Sequence, residues 1–166
     1  MVQAIAVTWL LLLLGDFFST FCYHVPEHVF GSLHLQTHHC WKKDFRHYAI
    51  LTFNFWVLLD GILGALPYLL VALWLWSFSP VGVVIGLLFG QLHVWWRHIN
   101  ALGWQTPTLV TVLCQFAFIT TPEQHWLHHQ KTNIGYGDIF TFFDRPAQGW
   151  LRWLRLLRLR FRCGRS

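Results

Sequence analysis

The chain has 166 residues, of which 55% are hydrophobic and only 11% are charged. This composition excludes an ordinary soluble globular protein and predicts one domain, residues 1–166, embedded in a lipid bilayer. The net charge of +5 could indicate a nucleic-acid-binding protein, but six of the twelve basic residues follow Gly149, where arginines alternate with Trp and Leu. We therefore expect no nucleic-acid partner. Residues 150–166 are predicted to form a basic amphipathic helix at an anionic membrane surface or, alternatively, a solvated tail.

The first apolar run, from Ala4 to Tyr23, has the length of a transmembrane helix. Its residues, at the rise of an α-helix, cover about 30 Å, which is the thickness of the hydrocarbon core. The run has no basic segment before it and no small-residue cleavage site after it, so we interpret it as a span and not as a signal peptide. Asp16 lies within this run, where a charge facing lipid is costly, and is predicted to face the protein interior.

Two further apolar segments, Ile50–Trp76 and Val81–Trp96, predict a membrane hairpin around the turn "SFSPVG". Pro67 within the first segment favours one tilted or kinked helix. A shorter piece, Thr108–Ile119, cannot cross the bilayer and predicts a buried or re-entrant helix. Together these segments predict an all-α integral membrane protein with about three transmembrane helices, a re-entrant or interfacial helix and a helical cap.

Basic residues predict the orientation of these spans. Lys42, Lys43 and Arg46 follow the first span, Arg97 ends the third, and no basic side chain precedes the first span. Because Lys and Arg concentrate in cytoplasmic loops, the cap and the C-terminus are predicted to be cytoplasmic, with the N-terminus on the opposite side.

Histidines dominate the polar part of the sequence. His34 and His38 are four residues apart, as are His125 and His129, so a helix would project each pair from one face. Adjacent histidines, such as His38 and His39, point about 100° apart on a helix, which suits two neighbouring metal ions better than one. Imidazole binds zinc, copper and iron alike, so the spacing does not identify the metal.

Four histidine motifs stand in order along the chain: "HVPEH", "HLQTHH", "HIN" and "TPEQHWLHH", the last followed by "NIGYGDIFTFFDRP". They closely resemble the membrane fatty acid hydroxylase/sterol desaturase superfamily, over about Asp16 to Arg145. The resemblance implies two iron ions held by eight or more histidines, O2 as co-substrate, and hydroxylation or desaturation of an unactivated C–H bond. The implied substrate is a fatty acyl, sterol or carotenoid/isoprenoid lipid. The implied partner is a separate electron-donor protein, a ferredoxin or a b-type cytochrome.

The resemblance also assigns the candidate metal ligands. Carried over by motif, they are His24 and His28 of the first box, His34, His38 and His39 of the second, His98 after the hairpin, and His125, His128 and His129 of the last. His93 is a tenth candidate, although its five-residue separation from His98 turns it about 140° away on a helix. Val25 stands where an Arg often follows the first histidine, and three residues precede the second doublet where two are common. His47 lies outside the boxes and is predicted to be an interface residue.

Other candidates and functional classes stay open. Cys40 follows His39 and is a weaker ligand candidate. No catalytic acid or base beyond the metal ligands is predicted. The alternatives to a lipid oxidase are a membrane haem electron carrier and a non-catalytic metal-binding or transport protein. Four acidic residues close to the boxes are predicted to accept the second N–H of a ligand histidine or, alternatively, to be surface charges: Glu27, Asp44, Glu123 and Asp138.

Overall fold

The structure is a computed structural model that describes residues 1–39 and 44–163, and of residues 162 and 163 only the backbone. The predictions about Cys40, Lys42 and Lys43 lie outside the described residues. Within that range the chain is helical, without a β-strand, as the sequence predicts. The α-helices of this part are α1 (Val2–Phe18), α2 (Val25–Phe30), α3 (Leu33–Thr37), α4 (Phe45–Tyr48), α5 (Phe55–Leu75), α6 (Pro80–Arg97), α7 (Thr108–Phe116), α8 (Pro122–Gln130) and α9 (Asp144–Cys163).

The first helix is longer than the sequence predicts. α1 continues through a π-helical turn, Ser19–His24, directly into α2, so the helical stretch ends at Phe30 and not at Tyr23. The backbone N–H of Val25 donates to the carbonyl of Thr20, five residues back, which is the wider π spacing. Pro26 has no N–H to donate, and it is accommodated here as the second residue of α2. The histidines on either side of it therefore lie one turn apart on one continuous helix.

The helices α1, α5 and α6 pack side by side and form the apolar bundle. Gly82 and Gly86 allow α6 to approach α1 closely, because a Cβ at Gly82 would lie 2.5 Å from the Ala4 carbonyl oxygen. The hydroxyl of Thr8 donates to the carbonyl of Gly82 at 2.9 Å across this contact. The buried residues of the bundle core are Val7, Leu11, Val71, Ala72, Leu75 and Val83.

Two helices of the described part are long and apolar enough to cross a membrane, Val2–Phe30 and Phe55–Leu75. α6 has 18 residues, but Gln91, His93 and Arg97 make it more polar than these two. It nevertheless packs along α1, so the third span stays a prediction that this packing supports.

The boundaries of the hairpin follow from capping. α5 begins at Phe55 and not at Ile50, because the side-chain oxygen of Asn54 accepts the N–H groups of Trp56 and Val57 at 3.0 and 3.3 Å. Ile50 has a φ of 59°, which places it in the left-handed region and outside any helix. α6 agrees with its prediction within one residue at each end.

Of the two alternatives predicted for residues 108–119, a buried or a re-entrant helix, the buried helix is wrong. α7 ends at Phe116, and among its residues Cys114 is the one that is buried. Leu109, Leu113 and Phe116 are 71%, 58% and 80% exposed. A helix of nine residues at the edge of the bundle contacts the protein on one side only, so most of its apolar surface stays outside.

The position of α7 agrees with a re-entrant helix. After it, Ile119 pairs with Phe140 in an isolated antiparallel bridge. Phe140 packs against Leu12 and lies 6.3 Å from the ring of Trp9, both near the middle of α1. The chain therefore passes from α7 to the level of the middle of α1, and at that level lipid would cover the exposed apolar side chains of α7.

Asp16 faces the protein interior, as predicted, and is fully buried. Its carboxylate accepts the backbone N–H groups of Asp138, Ile139 and Phe140 at 2.9, 2.9 and 2.6 Å. A carboxylate within an apolar helix is costly unless its oxygens are hydrogen-bonded. Asp16 therefore holds the loop that follows α8 against the first helix.

The C-terminal helix, α9, packs against the rest of the protein. The sequence predicted instead a helix at the membrane surface or a solvated tail. The indole N–H of Trp150 donates to the carbonyl of Phe21 at 3.0 Å, and the guanidinium of Arg158 donates to the carbonyl of Val29. The earlier residue of α9 contacts Phe21 and the later one contacts Val29, so α9 runs parallel to α2. Its core consists of Ala147, Leu151 and Leu154 with Val25, Val29 and Tyr136.

Candidate metal centre

The histidine-bearing segments meet at one end of the bundle. α2 continues the first span, α3 follows it, α6 ends beside them, and α8 packs against α6. Their histidines form two groups, and within each group every residue offers a ligand atom within 4.8 Å of the others. A third set with the same spacing, His34, His38 and Asp60, joins one histidine of each group to a carboxylate. The five-histidine group consists of His24, His28, His34, His39 and His128, and the four-histidine group of His38, His98, His125 and His129.

The two histidine doublets divide between the groups. His38 and His129 belong to the four-histidine group, whereas their neighbours His39 and His128 belong to the five-histidine group. The groups are in direct contact, since the ring centroids of His39 and His129 are 5.0 Å apart. This is the arrangement of two adjacent cation sites that the doublets predict.

Backbone carbonyls fix the tautomer of one imidazole in each group. Nδ1 of His98 donates to the carbonyl of Val94 at 2.7 Å, and Nδ1 of His128 donates to the carbonyl of Ile134 at 2.6 Å. A carbonyl oxygen only accepts, so these two Nδ1 atoms carry the proton. Nε2 of each ring is therefore unprotonated and carries a free lone pair.

These lone pairs point at other imidazoles. Nε2 of His98 lies 2.9 Å from Nε2 of His125, which in turn lies 3.1 Å from Nε2 of His129. In the other group, Nε2 of His24 lies 3.0 Å from Nε2 of His128. Converging ring nitrogens are the first requirement of a site that coordinates a cation.

Unpaired nitrogens provide a second test of fit. Nε2 of His28, Nε2 of His34 and both ring nitrogens of His39 are buried, and within the described ranges none has a hydrogen-bond partner. A buried polar atom without a partner costs free energy, which a bound cation would recover. Imidazoles with inward-facing free nitrogens fit a transition-metal ion. The two groups are therefore able to hold metal.

Burial keeps the imidazoles in the form that binds metal. Burial first, and neighbouring histidines second, lower the pKa of His39 to about 4 and the pKa of His128 to about 3. Burial also lowers the pKa of His38, His98 and His125 well below the ordinary value. Coordination requires an unprotonated nitrogen, so both groups are ready to bind metal at neutral pH.

A comparison with protein-family models identifies the family of the chain. The family model described as fatty acid hydroxylase matches residues 9–148 of the chain. The chain belongs to the fatty acid hydroxylase family. This confirms the resemblance to the fatty acid hydroxylase/sterol desaturase superfamily. No curated protein matches the chain, and no solved structure matches it.

Two histidines of this fatty acid hydroxylase family member lie outside both groups. His93, the tenth ligand candidate, places Nε2 3.0 Å from the carbonyl oxygen of Thr120. Its position five residues before His98 directs it to another side of α6, which is why the structure does not bring it to the groups. Nε2 of His47 lies 2.6 Å from the carbonyl oxygen of Thr37, away from the ligand atoms of both groups.

The four acidic residues near the boxes divide between the two predicted alternatives, a partner of a ligand histidine or a surface charge, and Asp44 and Glu123 are exposed. Only Asp138 approaches a ligand candidate, with Oδ1 3.7 Å from Nδ1 of His24 and 2.7 Å from the Arg97 guanidinium. The other three accept backbone N–H groups: Glu27 those of Leu33 and His34, Asp44 that of His47, and Glu123 that of Thr106. They hold the chain around the boxes instead of orienting an imidazole.

The carboxylate that does orient an imidazole is Asp60, which the sequence analysis missed in this role. Its two oxygens lie 3.1 and 3.2 Å from Nδ1 of His34, and it also accepts the hydroxyl groups of Thr37 and Tyr23. A carboxylate inside an apolar helix was itself a signal of a buried partner. The partner could not be recognised from the sequence, because 26 residues separate Asp60 from His34.

A cavity of about 380 Å³ lies beside both histidine groups. It touches His98 at one end and extends between α5 and α6 to Leu69, Leu87 and Leu88 at the other. Gly64 is also part of its wall. The rise of α6 from His98 to Leu87 is about 16 Å, so the cavity runs along the helices from the candidate metal centre into the apolar bundle.

Proposed function

We propose that the chain hydroxylates or desaturates a membrane lipid at two iron ions, with O2 as co-substrate. The observation that supports this most directly is the contact of two buried imidazole groups with one elongated apolar cavity. Membership of the fatty acid hydroxylase family supports the reaction type. The family is typically iron-dependent, and imidazole sites accept iron.

The electron balance defines what the reaction needs. Hydroxylation converts a C–H bond and O2 into C–OH and water, with two electrons and two protons taken up. Desaturation removes two hydrogens and reduces O2 to two waters, again with two electrons and two protons. Bound iron supplies the one-electron redox chemistry for either outcome. The electrons come, in this proposal, from a separate carrier protein.

The side chains of the protein hold the ligands and shape the space for the lipid. The five-histidine group would hold one ion and the four-histidine group the other. Val94 and Ile134 fix two imidazoles through their carbonyls, and Asp60 fixes a third, so Nε2 faces inward in each. The leucines at the far end of the cavity exclude water from an apolar chain. The polar end of the lipid would stay on the aqueous side, since moving it into the bundle is costly.

The two alternative functions explain less of this site. A bis-histidine haem needs a plane of free space between two imidazole rings. Here neighbouring imidazoles fill that space. The ring centroids are 4.5–5.0 Å apart for the pairs His38–His129, His39–His128 and His39–His129. A metal transporter needs ligands along the spans. Asp16 and Asp60 in the described spans are already occupied by hydrogen bonds within the protein.

For the membrane topology we propose three spans, with the histidine groups and the C-terminus in the cytoplasm and the N-terminus on the opposite side. The basic residues around the histidine boxes support this orientation. Reporter fusions at Met1 and at Ser166 test it, and the same compartment at both ends would rule out three spans.

Lipid analysis under ¹⁸O2 tests the function. Cells that express the chain are compared with cells that express His128→Ala, and His47→Ala serves as the matched control outside the groups. Hydroxylation adds one ¹⁸O to a lipid, whereas desaturation removes two hydrogens and adds none. We expect one of these products with the native chain and the control, and none with His128→Ala. Lipids that are identical in all three cell lines would contradict the proposal.

A further inference from the structure

α9 carries four exposed arginines, Arg152, Arg155, Arg158 and Arg160, named here the arginine row. Arg155 donates to the side chain of Asn133, and Arg158 donates to a backbone carbonyl. None of the four forms an ion pair with a carboxylate of the described residues. The positive charge of the row is therefore not neutralised within the protein and is available to an acidic partner.

The direction of α9 places this charge on the aqueous side. The helical stretch Val2–Phe30 has 29 residues and is about 43 Å long, whereas the hydrocarbon core is about 30 Å thick. Its last part, α2, thus extends beyond the apolar bundle. Since α9 runs parallel to α2 from Phe21 to Val29, the arginine row extends away from the bundle and does not lie flat across its end.

The arginine row also lies close to the five-histidine group. Tyr136 packs in the core between α9 and α2, and its ring centroid lies 5.4 Å from that of His28 and 5.1 Å from that of His128. One layer of side chains therefore separates the inner side of α9 from candidate metal ligands. A protein bound on α9 would be near the centre without penetrating the fold.

We infer that the arginine row of α9 is the docking surface for an acidic one-electron carrier protein. The inference rests on the proposed function, which requires such a donor. Trp153 and Leu156 lie between the arginines and are 49% and 61% exposed, and aromatic and Arg side chains are enriched where proteins bind one another. The rival occupant is the anionic headgroup layer. The parallel packing of α9 on α2 and its closeness to the histidines favour the carrier protein.

Binding measurements test the inference without lipid oxidation. The full chain is placed in nanodiscs of phosphatidylcholine, and its affinity for an acidic [2Fe–2S] ferredoxin and for an acidic b-type cytochrome domain is measured by calorimetry. Arg152→Glu and Arg160→Glu change exposed residues without hydrogen bonds in the described structure. Each should weaken the binding of the carrier by about fivefold to tenfold at low salt. Roughly 0.5 M salt should remove most of the difference.

Arg46→Glu is the matched control, because it reverses one exposed charge on α4 instead of α9. It should change the affinity less than twofold, and a basic cytochrome c should not bind the native chain. Equal affinity of Arg152→Glu, Arg160→Glu and the native chain would overturn the inference. Equal weakening by Arg46→Glu would also overturn it, since the attraction would then be general and not localised.

Hydrogen exchange distinguishes the rival occupant. We expect the backbone amides of residues 152–161 to exchange more slowly when the carrier is added to neutral nanodiscs. Slowing by phosphatidylserine alone, with no effect of the carrier, would assign the row to lipid headgroups and overturn the inference. If the carrier binds at the row but the ¹⁸O2 experiment gives no lipid product, the proposed function fails separately. If the product forms but charge reversal leaves the binding of the carrier unchanged, the docking surface alone fails.

Discussion

The five-histidine and four-histidine groups have the same ligand type but are held in place by different interactions. The five-histidine group depends on carboxylates, with Asp60 at His34 and Asp138 near His24. The four-histidine group depends on local contacts, because His98 donates to the carbonyl of Val94 one turn earlier on its own helix. The five-histidine group thus has long-range tertiary contacts in addition to the local contact of His128 with Ile134, whereas the local contact in the four-histidine group is at a helix end. A change in α5 should affect the two groups unequally.

The largest effects are expected from removing one imidazole of a doublet. His129→Ala leaves three histidines in its group, whereas His128→Ala and His39→Ala each leave four in theirs. Fewer ligands leave an open position and weaken metal binding, so His129→Ala should lose about one ion per chain and at least about 100-fold of the turnover. His128→Ala and His39→Ala should lose turnover as strongly but retain more metal. Elemental analysis after gentle detergent purification measures the metal.

The control for this series is His47→Ala, whose imidazole contacts a backbone carbonyl outside both groups. It should keep the metal content and the lipid oxidation of the native chain. Loss of metal in His47→Ala, together with retention of metal and activity in His128→Ala, would show that the groups are wrongly assigned. About one metal per native chain would argue against two sites.

Asp60→Asn should weaken the five-histidine group more than the four-histidine group, because Asp60 contacts Nδ1 of His34 directly and only lies near His38. The amide keeps the shape of the carboxylate but removes its charge and replaces one acceptor oxygen with an NH2 donor, so the ring of His34 is held less firmly. Loss of such a partner typically costs about 10-fold to 100-fold in metal affinity. A chelator titration should show one strongly weakened site and one that changes less. Tyr23→Phe, which removes one hydroxyl from Asp60, is the control and should have a smaller effect. Equal weakening of both sites would contradict the difference between the groups.

Acid should destabilise the metal-free protein. The pKa of His39 is lowered to about 4 and that of His128 to about 3 in the folded state, against about 6.5 in an unfolded chain. Between these values the unfolded state binds protons that the folded state does not, so stability is full above pH 6.5 and falls as the pH decreases toward 4. The apparent melting temperature in detergent should decline over this range. A melting temperature that is constant or rises on acidification would contradict the buried, neutral state.

Much of the site could be predicted from the sequence because helical spacing fixes direction locally. His128 and His129 are adjacent on α8 and therefore point about 100° apart, and the structure divides them between the groups. His38 and His39, in the turn after α3, divide in the same way. The helical hairpin of α5 and α6 was predictable from apolar length and from Pro80 at the start of α6. These features depend on residues within a few positions of one another.

The features that could not be predicted depend on residues far apart in the chain. Asp60 and His34 are 26 residues apart, and nothing near either residue identifies the other. The extension of the first helix through Pro26 depends on a π-helical turn, which has no clear sequence signal. The burial of α7 was predicted wrongly because an apolar pattern does not distinguish a side chain covered by protein from one covered by lipid.

The smallest effect is expected at His93, which tests whether the boundary of the two groups is drawn correctly. Its Nε2 lies 3.0 Å from the carbonyl oxygen of Thr120, so the imidazole contributes one hydrogen bond to the loop before α8. His93→Leu should lose this bond and about 1 kcal/mol of stability, and it should keep the metal content of the native chain. His93→Gln can still donate to Thr120 and should recover most of that stability. Thermal unfolding and elemental analysis of the two variants measure both quantities. If His93→Gln, despite a normal melting temperature, lost an ion, His93 would be a ligand after all, and the four-histidine group would need a fifth member.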